Sequence, residues 1–163
     1  MTTRPLNKVR HMEPSYRSKV IDAFVEEHRE QHTAEGLAYF YCNRAEENRR
    51  DPETILNTLI QQLARADENK ILKPLIDIYY EREQKGQLSS QLTLRESQEL
   101  LVKLVNIYPL TTIYLDALDE VDDKIRIHPL KSLKWVIEKS NSRVKIFATS
   151  RNDRHPLSVQ EIF

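Results

Sequence analysis

Asp116, Asp119 and Glu120 stand at the end of an apolar run in TTIYLDALDEVDD, Thr111 to Asp123. A solvated loop has no need of Ile113, Tyr114 and Leu115 ahead of it. A core strand does not normally tolerate an aspartate directly behind them. The pattern predicts a strand that delivers acids to a site. A carboxylate on the last strand residue, Asp116, can hold a hydrated Mg²⁺, which prefers oxygen ligands and keeps several waters. A second carboxylate three or four positions on, Asp119 or Glu120, can orient or deprotonate an attacking water. Further along, RVKIFATSRND places Arg151 just past a second apolar run. An arginine there can reach the terminal phosphate of a nucleotide and stabilise transition-state charge. Acid, metal, phosphate and arginine together are the logic of a nucleoside triphosphatase.

A plainer reading stands beside this one. Acidic loops follow many strands, Asp122 and Asp123 read as solvated loop residues, and Arg151 alone is worth about 1 kcal/mol or less as a surface ion pair. The two segments in order, with one helix between them, favour the functional reading. Other constellations are weak. His11, His28, His32, His128 and His155 are scattered, and only His28 and His32 share i,i+4 spacing, without an HExxH context. Cys42 ends an apolar run with no identifiable base, which makes it a core position rather than a nucleophile.

The elements that would position the acids are legible. Residues 1–14 read as a loose tail with Pro5 and Pro14. From Ser15 the pattern becomes helical, with Val20, Ile21, Phe24 and Val25 on one face. LAYFYC, Leu37 to Cys42, is too continuous to be half exposed and reads as a buried strand. Asp51 as N-cap and Pro52 at the first position open a helix whose stripe is Ile55, Leu56, Leu59, Ile60 and Leu63. A second stripe follows through Ile71, Leu72, Leu75, Ile76 and Tyr79. Thr93 to Glu96 has the form of a capping box, before Leu100, Leu101, Leu104, Val105 and Tyr108. After the Thr111–Asp116 strand come an acidic loop, Pro129 as a helix opener, and a last buried strand from Val144 to Ala148. This order predicts an α/β fold with a short parallel sheet.

The totals set bounds. A chain of 163 residues, 39% hydrophobic and 31% charged, has room for one core and reads as soluble. Twenty-five basic residues balance twenty-five acidic ones, so no overall field favours nucleic acid or an anionic membrane. No apolar run approaches the roughly 18 residues of a membrane span. The N-terminal residues lack a signal h-region, and the single cysteine suits a reducing compartment, so a cytoplasmic location is expected. Only two glycines occur, Gly36 and Gly86, so neither GxxxxGK[ST] nor GxGxxG exists in these residues.

TTIYLDALDEVDD resembles the Walker B segment of NACHT-type (STAND) NTPases, with an aspartate, a small residue and then an acidic pair. VKIFATSRND is similar to the strand and sensor segment that follows in that group. YFYCNRAEENRRDPETILNTLIQQLA resembles its second strand and following helix. The resemblance covers about residues 18 to 153 and lies toward fungal ankyrin-repeat proteins with a nephrocystin-like nucleotide domain. It implies an incomplete P-loop NTPase-type three-layer sandwich with about three strands flanked by helices. It further implies a signal-transduction switch that binds ATP or GTP with Mg²⁺: Asp116 on the metal, Asp119 and Glu120 on the water, Arg151 on the γ-phosphate.

The departure from the family concerns its GxxGxGKT loop. Aligning helices puts that loop near Val9 to Pro14, where VRHMEP stands and Glu13 falls about where a phosphate-binding lysine belongs. Residues 15–163 are then a partial core, without the P-loop strand and the later C-terminal part. Nucleotide and Mg²⁺ are expected to bind weakly or not at all, and Val144–Ala148 to keep an open apolar edge. That edge predicts protein partners or self-association. A working NTPase with its loop encoded upstream of Ser15, and an unrelated helical interaction module, remain the alternatives.

Overall fold

Asp51, Pro52 and Glu53 do open a helix. The computed structural model describes residues 19–30, 34–46, 51–67, 70–87 and 91–150. The tail 1–14, Glu13 and Arg151 lie outside them. Helix α1 spans Lys19–Glu30 and strand β1 spans Gly36–Tyr41. Helix α2, Pro52–Leu63, starts where the Asp51 carboxylate accepts the Thr54 N–H at 2.8 Å. It buries Ile55, Leu56, Leu59, Ile60 and Leu63. Helix α4, Leu94–Val105, carries the reciprocal box: Glu96 N–H donates to Thr93 Oγ1 at 3.3 Å and Thr93 N–H to Glu96 Oε2 at 2.7 Å. Strand β4, Leu110–Asp116, follows it, and β5, Arg143–Ala148, follows the last helix.

The sheet is parallel with order β1-β4-β5. Side chains alternate between its faces. Ala38, Phe40, Cys42, Ile113 and Leu115 join the core with α2, α4 and the last helix, which adds Leu130, Leu133 and Val136. On the other face Tyr114 stacks on Phe147 with ring centroids 5.1 Å apart. Helix α1 meets the sheet at β1, and its buried Ile21, like Tyr114, lies outside the core cluster of the opposite face. Three layers result, with α1 on one side of the sheet.

The two sheet edges are treated differently. Tyr39 donates its N–H to Gln62 Oε1 at 2.8 Å and accepts from Gln62 Nε2 at 2.9 Å. The amide of α2 thus occupies the outer edge of β1 as a neighbouring strand would. Among the described residues no strand pairs with the far side of β5.

Three expectations need correction. β5 is not a buried strand: its residues alternate between exposed and partly buried, and Phe147 is exposed, because β5 is the sheet edge among the described residues. Pro129 does not open a helix: α5 spans Asp123–Lys139 with Pro129 inside it. Asp122 caps it earlier by accepting the Lys124 N–H at 2.9 Å, and the missing proline N–H removes one bond of the helical ladder. The second apolar stripe is also not one buried helical face. Arg65–Asp67 (β2) and Lys70–Ile71 (β3) form a small antiparallel hairpin before α3, Lys73–Gln84. Ile71, Ile76 and Tyr79 are exposed, because α3 meets the remainder mainly along α4. No described helix is long and apolar enough to cross a membrane.

Candidate functional site

The site is assembled where three parallel strands end together. Asp116 is the last residue of β4, in register with Tyr41, while Leu115 pairs with Ala148. The ladder runs one residue further on both sides. Cys42 N–H donates to Asp116 O at 2.9 Å, and Thr149 N–H donates to Leu115 O at 2.9 Å. The Asp116 side chain therefore emerges between the ends of β1 and β5, half-buried.

The chain then turns sharply. Ala117 is left-handed, with φ 53° and ψ 48°, and has no glycine's freedom to be so. For a non-glycine residue this costs roughly 1–2 kcal/mol. Leu118 and Val121, both buried, return the chain to the core at either end of a short 3-10 turn, Leu118–Glu120. Asp119 and Glu120 lie between those anchors and stay half-exposed. The apolar pair fixes the turn and the acids ride on it.

Thr149 supplies the compensating bonds. Its hydroxyl donates to Asp116 Oδ1 and accepts from the Ala117 N–H at 3.0 Å. Its carbonyl accepts the Leu118 N–H at 2.8 Å. From the opposite strand end, Arg44 Nη2 donates to the Asp119 carbonyl at 3.0 Å. The loop that carries Arg44 is shaped by Asn43, whose Oδ1 accepts the Ala45 N–H at 3.0 Å.

The electrostatics are read at Cys42. Burial, first, and then Asp116, Asp119 and Glu120 push its thiol up to about 12. The three carboxylates lie on one turn at this end of the sheet, near Cys42. Such a place attracts a cation. Among the described residues no three His, Cys, Asp or Glu side chains form a metal cage. A Mg²⁺ site needs none, since one or two carboxylates with waters and phosphates suffice. The carboxylate oxygens of Asp116 are of the type that ion takes, and Asp116 is the residue that would hold it.

The structure brings together three of the four residues expected from the sequence, Asp116, Asp119 and Glu120, and the fourth, Arg151, lies outside the described residues. Thr149 stands in the sequence as a polar residue of the second strand end, and its bonds to the acid turn, like the role of Arg44, are additions. Thr149 had a weak signal, a hydroxyl directly after a strand parallel to the acid-bearing one. Arg44 had none, because its partner is a backbone carbonyl seventy-five residues away. A groove of about 370 Å³ lies apart from the acids, lined by Lys134, Ile137, Glu138, Val144 and Ile146.

The profile of the family described as Nephrocystin 3, N-terminal matches residues 17–151. No curated protein and no solved structure matches the chain.

Proposed function

The chain belongs to the nephrocystin 3 N-terminal family, and from that premise we propose that it is the acid-bearing part of a NACHT-type (STAND) nucleotide switch, cytoplasmic and without appreciable ATPase activity of its own. The acid turn that closes β4, held from the neighbouring strand ends by Thr149 and Arg44, is the observation that carries this reading. Mg²⁺, when bound, supplies positive charge for a nucleotide's phosphates. With a nucleotide bound, Asp116 would be the Walker B ligand, Asp119 and Glu120 would orient water, and Arg151 would sense the terminal phosphate. These residues include no glycine-rich loop to cradle phosphate, and the acids do not supply that cradle themselves. Action is then through protein contacts, with the far side of β5, which no described strand pairs, as the edge for them. Repeats of ankyrin type would do the sensing in a longer protein.

A titration of fluorescent ATP with Mg²⁺ tests the reading. No saturable binding in the micromolar range is expected. Micromolar binding that disappears in Asp116→Asn would overturn it.

A second reading is a working ATP- or GTP-binding switch whose phosphate loop is encoded upstream of Ser15. The acid turn favours it, because Thr149 and Arg44 hold that turn in one shape. A transcript with GxxGxGK[ST] in frame shortly before Ser15 would establish it, and a stop codon there would exclude it.

A further inference from the structure

We propose that Thr149 is the positioning residue of the acid turn: one hydroxyl fixes both the Asp116 carboxylate and the left-handed Ala117 backbone, so that a divalent cation meets Asp116 in a single orientation. The cation part rests on the reading above. The hold on the turn does not.

The direction of each bond is forced by chemistry. An ionised carboxylate only accepts and a backbone N–H only donates. The Thr149 hydroxyl must therefore give its proton to Asp116 Oδ1 and take the Ala117 N–H on a lone pair. Among the described residues Ala117 is the one non-glycine with positive φ. The turn is thus strained where Thr149 grips it.

Two backbone bonds, to Leu115 and from Leu118, fix where the residue sits. The branched side chain of threonine then restricts χ1, which keeps the hydroxyl in place. A carboxylate already held through Oδ1 loses less rotational freedom when a cation arrives at its other oxygen. That oxygen accepts no hydrogen bond from the described residues. Thr149 holds the ligand without occupying the metal-facing position.

The experiment uses the full chain as wild type, Thr149→Val and Thr149→Ser. Valine keeps shape and both backbone bonds but removes the hydroxyl, and serine restores it. Two quantities are read by NMR: hydrogen exchange at the Ala117 amide without metal, and broadening of amide signals around Asp116 during titration with MnCl₂ alone. In Thr149→Val, Ala117 exchange is expected to accelerate about tenfold, the loss of one hydrogen bond. The Mn²⁺ midpoint is expected to rise several-fold, and Thr149→Ser should stay near wild type in both. Unchanged exchange and an unchanged midpoint in Thr149→Val overturn the proposal, as does a serine variant that behaves like valine. Should the valine variant not fold, an unprotected Ala117 amide in the wild type overturns it as well. If wild type shows no Mn²⁺ broadening near Asp116, the cation part fails, while the exchange data still decide the hold on the turn.

Discussion

Cys42 shows how the acids act beyond their own side chains. Its thiol rises from 9.0 to about 12, with burial as the larger cause and the carboxylates behind it. The native pKa exceeds the unfolded one, so this contribution to stability is present below about pH 9 and is lost as pH rises toward 12. Since the thiolate is the nucleophile, iodoacetamide at pH 8 should alkylate native Cys42 roughly a thousandfold more slowly than the denatured chain. Asp116→Asn should leave it slow, because burial dominates. Rapid alkylation of the native variant would contradict that ranking. Gly36 is constrained in a different way. A Cβ there would lie 2.8 Å from Tyr108 Cδ2 and 3.0 Å from Thr111 Oγ1. The ring cannot withdraw freely, because Tyr108 donates its hydroxyl to Leu63 O at 2.7 Å. Gly36→Ala should cost about 1–3 kcal/mol by overpacking, read as a lower denaturant midpoint.

At the scale of elements, α4 depends on its first turn. The Thr93 backbone N–H, then its hydroxyl, and Arg82 more weakly, hold the Glu96 carboxyl below the usual carboxylate range. A depressed native pKa means that this contribution is present above the unfolded pKa and is lost as pH falls through the native one. Thr93→Ala should cost about 1 kcal/mol at neutral pH. Glu96→Gln should flatten the acid limb of the stability curve, and an unchanged limb would show that the cap does not titrate with folding. Arg82 makes the same glutamate serve two elements. It bonds Glu96 Oε1 at 3.0 Å and the Gln91 carbonyl at 3.0 Å, tying the end of α3 to the start of α4. Capped helices were legible from residue types at fixed offsets, since a cap is local chemistry. The β2–β3 hairpin and the proline inside α5 were not. The hairpin carries an irregular register, and the α5 start depends on Asp122 rather than on the proline.

For the whole molecule, protection should follow the layering. β4 is paired on both sides and buries Ile113 and Leu115, whereas α3 leaves Ile76, Tyr79 and Tyr80 exposed. Native-state hydrogen exchange should therefore open α3 and the hairpin well before β4, and equal protection in both would argue for a single cooperative unit. The sequence by itself determined the three strands of the parallel sheet, the caps of α2 and α4, the core stripes of those two helices, and the acids that follow the Thr111–Asp116 strand. Each of these rests on periodicity or on neighbours a few residues apart. Only the tertiary structure decided which partners hold the acids. Thr149 reaches Asp116 across 33 residues, and Arg44 reaches Asp119 across 75, by virtue of parallel strands that end side by side. Strand register, which no local pattern encodes, puts those groups within bonding distance.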